Sequence, residues 1–148
     1  MLEVGWHYTP FTNWRSIKDY GLRPYPMIRH ADVLAQNGFY DVRGVWLWTT
    51  RQRGRDHFGS IVQRMAEHSC EQVALIEVGY ERADLLQTPS GGLVKIYHDG
   101  HLSEFKFHDN TPAVIAVKPI PVGRVKLLKV YNLPLLVDVF DEVVTSDG

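Results

Sequence analysis

The chain changes its hydrophobic period part-way along. Up to about His68, apolar residues recur at helical spacing or sit in isolated strands, and from Gln72 onward they fall in short runs separated by turn residues. A chain that carries both patterns within 148 residues, the size of one ordinary domain, folds as α+β. No repeat, low-complexity segment or linker divides it, so residues 1–148 are expected to form one domain.

The first half predicts two main helices. Leu2 to Tyr8 alternates loosely and is rich in strand formers, which predicts a strand ending near His7 and stopped by Thr9-Pro10. Thr12 is placed to cap a helix through Phe11, Trp14, Ile17 and Lys18, with Gly21 ending it. Leu22 to Gly44, with Pro24, Pro26 and Gly38, predicts a long irregular connection holding a short helix around Ala31 to Gln36. Val45–Trp48 is a compact apolar strand closed by Thr49-Thr50. Phe58, Ile61, Val62 and Met65 then recur at i, i+3, i+4, i+7, a second helix running to about His68.

The second half predicts strands at Val73–Tyr80, Leu93–Tyr97, Glu104–Phe107, Ala113–Lys118 and Arg124–Val130. Pro89-Ser90-Gly91-Gly92 and Asp99-Gly100 supply turns. The tail Tyr131–Gly148 mixes apolar and acidic residues and is expected to add a last helix or strand.

Composition narrows the function classes. A formal net charge of −1 leaves no general basic footprint for nucleic acid, although a local patch is compatible with it. Cys70 is alone and can form no intrachain disulfide, and the apolar runs are too short to span a bilayer. The N-terminus has neither the basic nor the apolar region of a signal peptide. A cytoplasmic setting without membrane contact is the expectation.

Three segments could carry chemistry. They are Trp6-His7-Tyr8-Thr9 at a strand end, Gly44-Val45-Trp46-Leu47-Trp48-Thr49-Thr50 before a helix, and Ser103-Glu104-Phe105-Lys106-Phe107-His108-Asp109 after a polar loop. Singly, each has an ordinary explanation. A strand-end His is usually just hydrogen-bonded, an aromatic strand is usually core, and a Glu opening an edge strand is usually solvated. Their order is the informative part.

In that order the sequence resembles the ADP-ribosyltransferase superfamily, particularly its His-Tyr-Glu branch, which includes the poly- and mono-ADP-ribose polymerases. That branch carries an H-G-[ST] strand, a G-[IV]-Y-F-[AS] strand leading into a helix, and an E-[YF]-x-[VF]-[YF]-[DN] strand. His7-Tyr8-Thr9, Gly44-Val45-Trp46-Leu47-Trp48 and Glu104-Phe105-Lys106-Phe107-His108-Asp109 are similar to these in turn. The stretch from His7 through Gly21-Leu22-Arg23-Pro24 also resembles the start of DNA-targeting ADP-ribosyltransferase toxins and tRNA 2′-phosphotransferases. Trp46 stands in place of the tyrosine, Tyr8 in place of the small glycine, and Leu102 where arginine-modifying members carry Gln or Glu.

The resemblance implies a split β-sheet core and a mono-ADP-ribosyltransferase that uses NAD as substrate and a macromolecular acceptor, DNA or RNA among the candidates. Glu104 would stabilise the oxocarbenium-like transition state and His7 would hydrogen-bond the adenosine-side ribose. Tyr8 would offer its backbone N–H and C=O to the nicotinamide amide, with Thr9 next to it in the cofactor site, Trp46 and Phe58 would sandwich or border the nicotinamide ring, and Thr49 or Thr50 would support Glu104 by hydrogen bonding. A cation is needed for the pyrophosphate, with Arg15, Arg23, Arg29 and Arg51 as candidates.

Two other readings stand beside this one. Arg51, Arg53 and Arg55 crowd the start of the second helix, where cations oppose its dipole, and this hints at an anionic ligand: the pyrophosphate or a nucleic-acid backbone. A non-catalytic module that binds NAD or ADP-ribose is the other. A metal site among His98, Asp99, His101, Glu104, His108 and Asp109 is disfavoured, because strand alternation would send His101 and Glu104 to opposite faces, and none is expected.

Overall fold

A computed structural model describes residues 2–27, 31–36, 38–52, 71–93, 95–96, 105–106 and 113–133. In chain order these form β1 (Glu3–Pro10), α1 (Trp14–Tyr20), β2 (Tyr25–Pro26), α2 (Ala31–Gln36) and β3 (Arg43–Trp48). There follow β4 (Gln72–Tyr80), β5 (Lys95–Ile96), β6 (Phe105–Lys106), β7 (Ala113–Ala116) and β8 (Val125–Asn132). The strands make one sheet in the order β6-β5-β7-β3-β1-β4-β8, with β2 on β3, and each of these pairings is antiparallel. The class is α+β, with a mostly antiparallel sheet.

β4 is the spine of this sheet. Gln72-Val73-Ala74-Leu75-Ile76-Glu77-Val78 is β-branched and apolar on both faces, as suits a strand covered on both sides. It pairs with all eight residues of β1 and with most of β8, where the register slips between Leu75 and Ile76. On one face Ile17 of α1 packs with Leu22, Val45, Leu47, Ile76 and Val114. On the other, Tyr8 and Trp48 pack with Val73, Leu75 and Tyr131, and α2 lays Leu34 onto Met27 and Ile115. Fully covered side chains such as Leu47, Leu75, Ile76 and Ile115 each contribute about 1.5–3 kcal/mol.

The first helix differs from its sequence expectation. Thr12 does not cap it: Phe11–Asn13 forms a 3-10 helix, and α1 starts at Trp14 behind Asn13 with no side-chain cap. The cause lies upstream. Pro10 stays extended at φ −52°, ψ 136° and pairs with Val73, so β1 runs two residues past Tyr8 and turns directly into the 3-10 helix. The Asn13 amide then donates to the Thr9 hydroxyl at 3.0 Å. Gly21 ends α1 as expected, at φ 84°, where a Cβ would collide with the Ile120 carbonyl.

The short helix expected around Ala31 to Gln36 is α2. Within the neighbouring connection, β2 is a strand that the sequence expectation lacked. β7 ends at Ala116, short of the expected Lys118, and β8 runs on to Asn132. Val94, Tyr97, Glu104 and Phe107 of the strands expected around β5 and β6 lie outside the described residues. The second expected helix, from Phe58 to His68, and the tail beyond Leu133 lie outside the described residues.

Candidate active site

The functional geometry centres on the junction of β1 and β3. β1 is bonded to β4 along its whole length, yet it meets β3 in register at one position, Trp6 opposite Trp48. His7 is the next residue on β1, and its Nδ1 lies 2.8 Å from the Trp46 carbonyl oxygen. A side chain here does what a backbone N–H does elsewhere in a ladder.

That bond decides the tautomer. A carbonyl oxygen only accepts, so Nδ1 carries the proton and donates it to Trp46. His7 is 5% exposed, and burial pushes its imidazole down to about 4, against a smaller upward pull from the Trp46 carbonyl. At neutral pH the ring is therefore uncharged, and Nε2 presents a lone pair. It is built to accept a hydrogen from a hydroxyl or amide.

Strand alternation sorts the other residues. Cross-strand partners share a face, so His7, opposite Ile76, belongs to the α1 side. Tyr8, opposite Leu75, lies on the other side, where Trp6 and Trp46 pack around Tyr8 and Trp48. Trp46 also packs against the Met27, Leu34 and Ile115 cluster, which links the junction to α2. The structure thus brings His7 and Trp46 together through the Trp46 carbonyl, while their rings belong to opposite faces. Thr9 is buried and holds Asn13. Thr49 and Arg51, both half-buried, follow directly on β3. Arg15 and Arg23 are exposed near α1.

Glu104, Phe58, Arg29, Arg53 and Arg55 lie outside the described residues, as do His98, Asp99, His101, His108 and Asp109. Among the described residues, no group of three His, Cys, Asp or Glu side chains could hold a metal ion, and no helix is long and apolar enough to cross a membrane.

Sequence reasoning missed a cavity of about 590 Å³ between β2, α2 and the start of β3. Its floor includes Met27, Leu34 and Phe39, and its rim Tyr40, Asp41 and Arg43. Gly44 lets Met27 of its wall and Ile115 pack closely on β3: a Cβ there would stand 2.5 Å from Ile115 Cγ2 and 2.8 Å from the Met27 sulfur. A readable signal was present, since a glycine opening an apolar strand marks a close approach.

No protein-family model matches the chain, and no curated protein or solved structure is detectably similar to it.

Proposed function

We propose that the chain is an NAD-dependent ADP-ribosyltransferase whose substrate site lies at the junction of β1 and β3. One observation carries this reading: next to the Trp6–Trp48 pair, β1 holds a neutral imidazole with Nε2 free of its proton. Such a nitrogen suits a ribose hydroxyl, which donates to it. A ligand that touches both His7 and the Trp46 ring has to reach across the sheet, because alternation sets the two rings on opposite faces. An elongated dinucleotide with a flat ring at one end has that form, and Trp46 offers a half-buried aromatic face to the cationic nicotinamide.

The reaction balances on residues of this chain. The bond between nicotinamide N1 and ribose C1′ breaks with its electron pair staying on nitrogen, and neutral nicotinamide leaves. Positive charge builds on the ribose and is met by the Glu104 carboxylate. A nucleophilic atom of the acceptor closes the new bond to C1′, and its proton passes to Glu104. A reducing cytoplasm fits a chain whose Cys70 has no partner cysteine.

The test is nicotinamide release from NAD by the full chain, followed chromatographically for wild type and Glu104→Gln. A rate present in wild type and lost in the variant is the expected result. Equal, negligible rates with NAD still bound would make the chain a binding module, and absence of NAD binding would sink the reading.

A further inference from the structure

The cavity between β2, α2 and the start of β3 is framed by backbone hydrogen bonds on two sides. The Phe39 N–H donates to the Leu34 carbonyl at 2.9 Å and closes the end of α2, while the Met27 N–H donates to the Val42 carbonyl at 3.2 Å and ties β2 to β3. Between these two bonds the chain turns at Asp41, held at φ 54°, a conformation that Asp and Asn accept more readily than other side chains. Its volume of about 590 Å³ lies in the range of small-molecule sites.

Charges of both signs border an apolar interior. Met27, Leu34 and Phe39 supply the apolar surface, and Asp32, Asp41 and Arg43 line the same cavity at exposed positions. Among the described residues, none of these three charged side chains takes part in an ion pair or a side-chain hydrogen bond. Asp41 and Arg43 stand two residues apart without pairing to each other.

The signs select the occupant. A phosphate ester would meet one guanidinium against two carboxylates, and an amine alone would leave Arg43 without a counter-charge. A hydrocarbon would use the interior but desolvate charges that it cannot satisfy. An ammonium and a carboxylate carried on one apolar body meet both signs at once.

We propose that this cavity binds a free apolar α-amino acid, with its carboxylate on Arg43, its ammonium on Asp41 and its side group against Met27, Leu34 and Phe39. None of the lining residues belongs to β1, so the site is separate from His7 and does not rest on the transfer reading.

The experiment is saturation-transfer NMR of the full chain with three probes: phenylalanine, its amide, which lacks the carboxylate, and its N-acetyl derivative, which lacks the ammonium. Phenylalanine should bind about two- to fivefold more tightly than either, the scale of one exposed charge pair. Arg43→Gln should erase the preference over the amide, and Asp41→Asn the preference over the N-acetyl derivative. Both positions are exposed and Asn accepts the backbone at 41, so each variant should keep the thermal midpoint of wild type. NAD should not displace phenylalanine. Absence of saturation with phenylalanine, equal affinity for the three probes, or preferences unchanged in both variants would overturn the proposal. Displacement by NAD would also overturn it, and would make the cavity part of the dinucleotide site.

Discussion

The His7 ring donates from Nδ1 to the Trp46 carbonyl oxygen across 2.8 Å, next to the Trp6–Trp48 pair of β1 and β3. This bond joins two halves of the sheet that otherwise meet in register at Trp6 and Trp48. Its loss should be felt in stability before it is felt in chemistry. His7→Ala removes this bond and opens a cavity, which together should cost about 2–4 kcal/mol in urea unfolding. His7→Asn, whose amide can donate to the same carbonyl, should recover part of that. Equal loss in the two variants would mean that the bond contributes nothing beyond volume.

The same residue sets an acid limit. The unfolded chain binds a proton at His7 near its ordinary pKa of 6.5, whereas burial holds the folded value down at about 4. Stability from this group is therefore complete above pH 6.5 and falls as pH drops toward 4, by up to about 3 kcal/mol. The unfolding midpoint of wild type should decline through this window more steeply than that of His7→Asn. Parallel curves would show that His7 is not buried as a neutral ring.

At the alkaline side, Tyr80 sits opposite Glu3 in the β1–β4 register, and its hydroxyl bonds the Glu3 carboxylate. Burial first, and then the charge and hydrogen bond of Glu3, raise the phenol to about 12. Stability from this group is complete below pH 10 and is lost as pH climbs through 12. An ultraviolet titration should show Tyr80 among the late-ionising tyrosines, and Glu3→Gln should bring its step down. A late step unmoved by Glu3→Gln would assign it elsewhere.

Gly44 tests how tightly β3 is packed. Gly44→Ala sets a methyl group against Ile115 Cγ2 and the Met27 sulfur, and overpacking of this kind costs about 1–3 kcal/mol. Gly123→Ala is the control, with nothing within 4 Å of its added methyl group. It should shift the denaturation midpoint little. Equal midpoints for the two would place Gly44 in a looser setting than its neighbours indicate.

How far these features were readable follows from what each depends on. α2 and the cores of β3 and β4 were legible, because their patterns are local: a short helix former run, a compact apolar run, a β-branched run. Thr12 is not the cap because Pro10, extended and paired to Val73, moves the cap on by one residue to Asn13. β2 was hidden by its prolines, Pro24 and Pro26, which read as loop. The His7–Trp46 bond between β1 and β3 could not be seen at all. It depends on register between strands some forty residues apart, and on a histidine reaching a carbonyl rather than a ligand.

Trp46 is where fold and proposed chemistry are hardest to separate. Its ring packs against both the Tyr8–Trp48 cluster and the Met27–Leu34–Ile115 cluster, so truncation disturbs packing as well as any ligand. In a stacked complex, Trp46→Ala should weaken NAD binding by about 1–3 kcal/mol. Trp46→Phe keeps an aromatic face and should lose less, while Trp46→Leu keeps apolar bulk without one. Calorimetric titration of NAD into each folded variant separates the causes. Affinity that follows the ring, with Phe near wild type and Leu near Ala, puts Trp46 against the nicotinamide. Affinity retained in Leu, with the fold intact by circular dichroism, removes Trp46 from the cleft and leaves His7 without the partner assigned to it.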